Sequence, residues 1–310
     1  MLFNSYVFLF AYLPITVAGF FILGRRSQSW AAAWLAAASL FFYGYWDYRY
    51  LPLLLGSVVF NYGCAAWLAA SAPARRRWIL AAAIAANLGL LAYYKYAGFF
   101  VASLAQLLER PMPALHVILP IGISFFTFTQ IAFLVDTCKG KAQESRFIHY
   151  LLFVTYFPHL IAGPVLHHKE MMPQFADQRT FRLSAGNIAI GSTIFFIGLA
   201  KKVLVADNIG PYAAPLFDDP AAPSLLIAWG GVLAYAFQLY FDFSGYSDMA
   251  IGLSRLFGVR LPLNFASPYK ARNIAQFWRR WHMTLSRFLR DYLYIPLGGK
   301  RCGPLRRYLN

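Results

Sequence analysis

Long apolar runs separated by short polar segments dominate this chain. A bilayer-crossing helix needs about 20 apolar residues, and seven runs approach or reach that length: 5–23, 30–46, 51–70, 78–94, 117–135, 186–205 and 224–241. Residues 98–116 form a weaker, amphipathic connection between two of the runs. We see no internal repeat and no soluble domain. The pattern therefore predicts an all-α, polytopic integral membrane protein that forms one domain over residues 1–310.

One further apolar segment, 147–165, is interrupted by Pro158, His159, Gly163 and Pro164. Irregular backbone at membrane depth is tolerated only inside protein or beside a water-filled cavity. The segment is therefore predicted to be re-entrant. His159 is a candidate for lining such a cavity, and ordinary packing of its ring is the alternative.

Composition and charge agree with a membrane location. Hydrophobic residues make up 59% of the chain and charged residues only 13%, whereas soluble domains have about a quarter charged. The net charge is +16, and the basic loops 24–29, 71–77 and 138–146 fall on one face, while 206–223 is acidic and falls on the other. By the positive-inside rule the N-terminus lies outside, and the basic residues meet anionic membrane lipids rather than nucleic acid.

Metal and disulfide chemistry have little support. Cys64, Cys138 and Cys302 are far apart and lack ligand spacing. His167 and His168 are adjacent, but no further spaced ligands accompany them. No metal site is predicted.

The segment 274–292 has helical periodicity. At about 100° per residue one stripe is apolar, and it comprises Ile274, Phe277, Trp278, Trp281, Leu285, Phe288, Leu289 and Tyr292. The opposite face carries four arginines, Arg279, Arg280, Arg287 and Arg290. The pattern predicts one amphipathic helix lying in the cytoplasmic interface, with its tryptophans at headgroup level.

His282 lies at the edge of this stripe, and two interpretations remain open. It is either an interfacial histidine that hydrogen-bonds a neighbouring carbonyl or a general base. Partial desolvation would lower its pKa and keep it neutral near pH 7, as a base requires.

A polar cluster follows the run 224–241. It comprises Asp242, Ser244, Tyr246 and Asp248. Ionisable groups near the membrane are functional candidates. Alternatively, Asp242 and Ser244 cap a helix beginning near Tyr246, with Gly245 in a tight turn. A catalytic triad of Ser244, His282 and one of these aspartates is disfavoured because Ser244 lacks a G-x-S-x-G elbow.

Four motifs resemble the membrane-bound O-acyltransferase family, and within it the alginate O-acetyltransferase branch. They are LPIGISFFTF (119–128), FPHLIAGPVL (157–166), QLYFDFSGYSDMAIGL (238–253) and NFASPYKARNIAQFWRRWHMTLSRFLRDYLYIPLGG (264–299). The resemblance runs the full length of the chain.

The resemblance implies helices around a funnel or tunnel in a bacterial inner membrane. An acyl group from a cytoplasmic thioester donor, acetyl-CoA or an acetylated carrier, would meet an extracytoplasmic polysaccharide there, with no cofactor bound and with extracytoplasmic acetyltransferase proteins as partners. His282 falls on one of the family's two characteristic histidines. Eight residues would line the tunnel or contact the substrate: Asp242, Ser244, Tyr246, Asp248, Asn264, Trp278, Trp281 and His159. The donor or the lipid would be contacted by Lys270, Arg279 and Arg280.

The family's other histidine, usually taken as its principal catalytic base, lies in a later segment of the type LWHG, which these 310 residues do not contain. The chain is therefore expected to be a C-terminally truncated form. Three alternatives stay open: a non-catalytic scaffold of the acetylation machinery, a D-alanyltransferase acting on teichoic acid, and a transporter. The transporter would be expected to show repeat symmetry, which is not found.

Overall fold

The computed structural model describes residues 1–110, 117–142, 144, 146–161, 163–218, 224–301, 303 and 306, and every regular element in these ranges is helical. The α-helices are α1 (Leu13–Gly24), α2 (Gln28–Gly44), α3 (Leu51–Ala70), α4 (Pro73–Leu107), α5 (Ile123–Cys138), α6 (Phe147–Thr155), α7 (Phe157–Leu160), α8 (His168–Ala176), α9 (Ala185–Ala200), α10 (Asp207–Asp218), α11 (Leu225–Leu256), α12 (Ile274–Trp278) and α13 (Met283–Leu289). Three π-helical segments occur at Phe8–Tyr12, Lys201–Ala206 and Arg290–Tyr294. The all-α prediction is confirmed.

Among the described residues, four continuous helical stretches are long and apolar enough to cross a membrane. They are Tyr48–Ala70, Pro73–Leu107, Ala185–Ala214 and Leu225–Leu256. Shorter apolar helices cover Phe8–Gly24 and Ile123–Cys138. The predicted run 51–70 coincides with α3.

Two predicted connections are wrong because helices continue through them. The expected break after residue 94 is absent, since α4 runs on to Leu107. The acidic segment 206–223 was expected to be a loop, yet residues 207–218 form α10, and residues 219–223 lie outside the described part. The π-helical segment Lys201–Ala206 carries the chain from α9 into α10 without a break. There the Lys202 ammonium pairs with Asp207 at 2.7 Å, which neutralises the first acid of α10.

The chain divides into two compact units. The first consists of the described residues of 1–35, 162–166 and 173–310, and the second of those of 36–161 and 167–172. The second unit contains α3 to α7, and the first contains α9 to α13.

A buried polar network joins the helices of the second unit. The amides of Asn61 in α3 and Asn87 in α4 bond each other twice, at 3.0 and 2.7 Å. Gln130 in α5 donates to the Ser57 hydroxyl at 2.9 Å and accepts from the Tyr150 hydroxyl at 3.3 Å. Because lipid offers no hydrogen-bond partners, such bonds hold apolar helices together in a fixed register.

The predicted interruption of segment 147–165 is confirmed. α6 ends at Thr155, and Tyr156 has a non-helical backbone (φ −50°, ψ 107°) before α7 begins at Phe157, with Pro158 in its first turn. The freed N–H of Phe157 donates to the Ser39 hydroxyl at 3.1 Å. His159 is only 2% exposed, and its Nε2 donates to the Phe153 carbonyl at 3.0 Å. This bond is what the packing interpretation of His159 requires.

Paired glycines bring α9 and α11 together in the first unit. A Cβ on Gly252 would lie 2.6 Å from the Gly191 carbonyl oxygen, and one on Gly245 would lie 2.7 Å from the Gly198 carbonyl oxygen. Both helices space their glycines seven residues apart, so the pairs meet two turns apart along the antiparallel contact. Backbones this close leave no room for any side chain.

Candidate functional site

The single amphipathic helix predicted over 274–292 is wrong at its centre. α12 ends at Trp278 and α13 begins at Met283. Between them His282 adopts a left-handed backbone conformation, with φ 43° and ψ 54°. A non-glycine residue there costs about 1–2 kcal/mol, so the surrounding contacts must compensate for the strain.

Two backbone hydrogen bonds hold this turn. The Met283 N–H donates to the Asn264 carbonyl at 2.9 Å, and the Ala266 N–H donates to the Arg280 carbonyl at 3.0 Å. The segment NFA (264–266) therefore lies against the turn that carries His282. The apolar stripe that was expected on one helix is therefore divided between two short helices, α12 and α13, which this turn separates.

Aromatic side chains fix the same segments against α11. The ring of Phe243 in α11 meets the His282 imidazole edge-on, with centroids 4.8 Å apart. Phe265 packs edge-on against Trp281 at 5.1 Å and against Phe243 at 5.0 Å. The Tyr269 hydroxyl donates to the Ala236 carbonyl of α11 at 2.6 Å. His282 is thus held in an apolar, half-buried setting.

Asn264 determines which ring nitrogen of His282 carries the proton. Its Oδ1 receives a hydrogen bond from the Thr284 backbone N–H at 3.3 Å, and because that group can only donate, the facing amide atom is the oxygen. The Thr284 hydroxyl accepts from the Val165 N–H at 3.0 Å and points its own proton at the same Oδ1, also at 3.0 Å.

His282 Nδ1 lies 3.0 Å from this oxygen and must therefore donate to it. In the neutral ring Nε2 is then the unprotonated nitrogen. Among the described residues, Nε2 of His282 makes no hydrogen bond. The arrangement leaves one basic lone pair available for a ligand.

Burial among these rings lowers the pKa of His282 to about 4. His282 lies outside the long apolar helices. Because the folded-state pKa is below the ordinary value of about 6.5, the imidazole is neutral at pH 7. The resulting contribution to stability is fully present above pH 6.5 and is lost as the pH falls through about 4.

We expect Asn264→Asp to raise the pKa of His282, by about one unit or more, because a carboxylate facing Nδ1 favours the imidazolium. NMR titration of the histidine ring in the purified protein would measure it. Asn273→Asp is the matched control. Asn273 caps α12 through its side-chain oxygen, a role that aspartate fills equally well. An unchanged pKa in Asn264→Asp would contradict the assigned hydrogen bond.

The polar cluster after 241 lies within a continuous helix, so the predicted helix start near Tyr246 and the predicted caps are wrong. Residues 242–248 all belong to α11, and Gly245 serves the close contact with Gly198 instead of a turn. Small and polar residues in a sequence resemble a helix cap. Here they lie within α11 and allow it to pack closely against α9.

The four members of the cluster have separate surroundings. Asp248 pairs with Lys201, and Asp242 pairs with Lys202 at 2.7 Å. The ring of Tyr246 stacks on Phe3, with centroids 4.8 Å apart. The buried Ser244 hydroxyl has no hydrogen-bond partner among the described residues. Within that part of the chain none of the four bonds to His282, which agrees with the disfavoured triad.

The remaining predicted residues lie around the turn. Trp281 belongs to the aromatic packing, while Trp278 is 54% exposed at the end of α12. Lys270 ends a 3-10 turn and Arg279 follows α12, and both are exposed. Arg280 is half-buried, and its carbonyl accepts from Ala266.

Three further histidines lie near acids. His168 Nε2 lies 3.4 Å and His149 Nδ1 3.8 Å from Glu144, and His167 Nδ1 lies 4.0 Å from Asp136. No group of three or more metal-ligating side chains occurs among the described residues.

Sequence reasoning missed the roles of Thr284 and Val165. Both approach His282 only through Asn264, which is 18 residues from the histidine along the chain. No periodicity could reveal these contacts. The glycine spacings, by contrast, are visible in the sequence, because Gly191 and Gly198 are seven residues apart and so are Gly245 and Gly252.

Known proteins resemble the chain over its full length. The sequence profile of the membrane-bound O-acyltransferase family matches residues 78–310. A peptidoglycan O-acetyltransferase of Helicobacter pylori is 48% identical over 100% of this chain and 64% of its own length. A probable alginate O-acetylase of Pseudomonas putida is 43% identical, again over 100% of this chain and 64% of its own length.

A more distant relative, a teichoic acid D-alanyltransferase of Bacillus subtilis, is 29% identical over 63% of this chain and 51% of its own length. The chain thus spans 64% of the length of the two nearer relatives just named. The family profile covers most of the chain and includes the whole turn that carries His282. Together with the four long apolar helices, this match shows that the chain is a membrane protein and belongs to the membrane-bound O-acyltransferase family.

Proposed function

We propose that the chain forms the core of an O-acetyltransferase that moves acetyl groups from a cytoplasmic thioester donor to a polysaccharide outside the membrane. The observation that carries this proposal is the His282 site. Its imidazole is neutral, its Nδ1 is committed to Asn264, and its Nε2 is left without a partner in the described part of the chain. The relatives named as O-acetyltransferases support the acetyl group.

In this proposal Nε2 of His282 acts as the general base. It accepts the proton of an acceptor hydroxyl as that oxygen forms its bond to the acetyl carbon. The carbon–sulfur bond of the thioester then breaks, and the departing thiolate takes up the proton. Asn264 and Thr284 act as positioning residues, because they fix the tautomer that keeps Nε2 basic.

The exposed cations near the turn suit a negatively charged donor. Lys270 and Arg279 are exposed, and Arg280 is half-buried beside them. Acetyl-CoA and an acetylated carrier protein are both anionic. We therefore assign these three residues to donor or lipid contact on the cytoplasmic side. An outside N-terminus, an inner-membrane location, a funnel around the site and extracytoplasmic partner proteins are parts of the same proposal.

The acceptor is tested by expressing the complete gene in a bacterial strain that lacks its own wall and exopolysaccharide acetyltransferases. Ester-linked acetate is then measured separately on peptidoglycan and on secreted polysaccharide, and ester-linked D-alanine is measured on teichoic acid in a second host. We expect acetate on one of the two glycans. D-alanine esters without acetate would indicate the activity named for the Bacillus subtilis relative. Absence of any ester, with the protein inserted and bound to acetylation partners, would favour the scaffold.

A further inference from the structure

A basic cavity lies away from His282 in the first unit, between the end of α1 and the segment that precedes α9. Its volume is about 630 Å³. The polar side chains around it are Arg25, Arg26, Ser27, Gln28, Gln178 and Arg182. Among the described residues, no aspartate or glutamate lines it.

The three arginines are available for a ligand. None of their guanidinium groups forms a hydrogen bond or an ion pair with a described residue. The nearest acid to Arg182 along the chain is Asp177, and its carboxylate accepts the Arg179 backbone N–H at 2.9 Å. Three uncompensated positive charges around one cavity repel each other, so an anion would stabilise them.

The walls of the cavity are held by close packing. Phe181 is buried and stacks on Phe20, with ring centroids 5.4 Å apart. Gly24 lies directly against it, since a Cβ on that glycine would be 3.2 Å from the Phe181 Cβ. The two segments that carry the arginines are thus fixed relative to each other within this unit, and the cations need little reorganisation to bind.

The helix geometry adds to the positive potential. Gln28 is the first residue of α2, which has 17 residues. The N-terminus of such a helix carries about half a positive charge, although the Ser27 hydroxyl already accepts the Ser29 N–H at 3.2 Å. Guanidinium groups bind phosphate oxygens in pairs, which makes arginine well suited to phosphate recognition.

We infer that this cavity is a binding site for a phosphate-bearing anion, held by Arg25, Arg26 and Arg182 at the start of α2. The cavity lies where the apolar helix Phe8–Gly24 ends. A phospholipid headgroup and a soluble phosphate compound offer the same chemistry. The site does not depend on the proposed acetyl transfer.

Binding to the purified full-length protein in a neutral maltoside detergent tests this site. The two probes are a short-chain phosphatidylglycerol and adenosine 3′,5′-bisphosphate, each titrated calorimetrically. We expect one of the two probes to bind. Binding of the phosphatidylglycerol would identify a lipid headgroup as the ligand, and binding of the bisphosphate would identify a soluble phosphate compound. The triple variant Arg25→Gln/Arg26→Gln/Arg182→Gln should weaken that binding by about tenfold or more.

A matched variant removes the same charge elsewhere. Arg75→Gln/Arg77→Gln/Lys141→Gln alters three exposed cations elsewhere, two at the start of α4 and one after α5, and should leave the affinity within about twofold. Equal weakening by both triple variants would show a bulk charge effect and overturn the site. Failure of both probes to bind would also overturn it. Should the first triple variant not fold, Gln28→Glu places one negative charge in the cavity and should weaken binding in the same way, and unchanged binding there would count against the site.

Discussion

His282→Asn is expected to lower the rate of acetyl transfer by about 10²–10⁴-fold, the contribution of a positioned general base. Asparagine tolerates the left-handed backbone that His282 adopts. Its side-chain amide can also donate to Asn264 as Nδ1 does. The substitution therefore keeps the turn while it removes the basic nitrogen. The measurement is the initial rate of ester-linked acetate formation in cells that express equal amounts of each protein.

His149→Asn supplies the control for this prediction. It removes a histidine whose Nδ1 lies 3.8 Å from Glu144, and the rate should change by less than about twofold. His282→Ala should be as inactive as His282→Asn and also less stable, since alanine disfavours a positive φ. Full activity in His282→Asn would show that the residue serves the fold through its hydrogen bond, and another group would have to accept the proton.

Gly252→Ala is expected to destabilise the protein by about 3 kcal/mol, at the upper end of the cost of overpacking. The new Cβ would lie 2.5 Å from the Phe195 backbone nitrogen and 2.6 Å from the Gly191 carbonyl oxygen. Both neighbours are backbone atoms, so neither can turn aside, and α9 and α11 must separate. The midpoint of thermal unfolding in detergent should fall by roughly 6–10 °C.

The same substitution at Gly230 is the matched control. Gly230 also lies in α11, and a Cβ there would have no atom within 4 Å. Gly230→Ala should leave the midpoint unchanged or raise it slightly, because alanine has the higher helix propensity. Equal midpoints for the two variants would rule out the tight contact between α9 and α11.

Hydrophobic periodicity predicted the helices well where one apolar run corresponds to one helix. The run 51–70 coincides with α3, and the prolines of 147–165 do interrupt the helix. The errors arose where polar residues occur inside a helix. The cluster with Asp242 and Asp248 resembled a helix start because the partners of these two acids, Lys202 and Lys201, come from another part of the chain. Such long-range neutralisation leaves no local signal.

The sequence indicated which residues belong to the site but not how they are arranged. The motif around His282 identified the residue, and Asn264 was named as a neighbour of the substrate path. A 3.6-residue period then assigned 274–292 to one helix, since the pattern of apolar residues contains no glycine or proline at the break. The turn at His282 is imposed by backbone bonds from residues 264–266. Tertiary contacts overrode local propensity there.

The paired amides of Asn61 and Asn87 bear on how the protein is assembled during synthesis. α3 and α4 are consecutive and are joined by a short connection, so they leave the insertion machinery as one hairpin. Each asparagine would be costly to expose to lipid alone, but the two satisfy each other within that hairpin. The Ser57 hydroxyl then accepts from Gln130 once α5 has been made. The order of the helices along the chain thus matches the order in which their polar groups find partners.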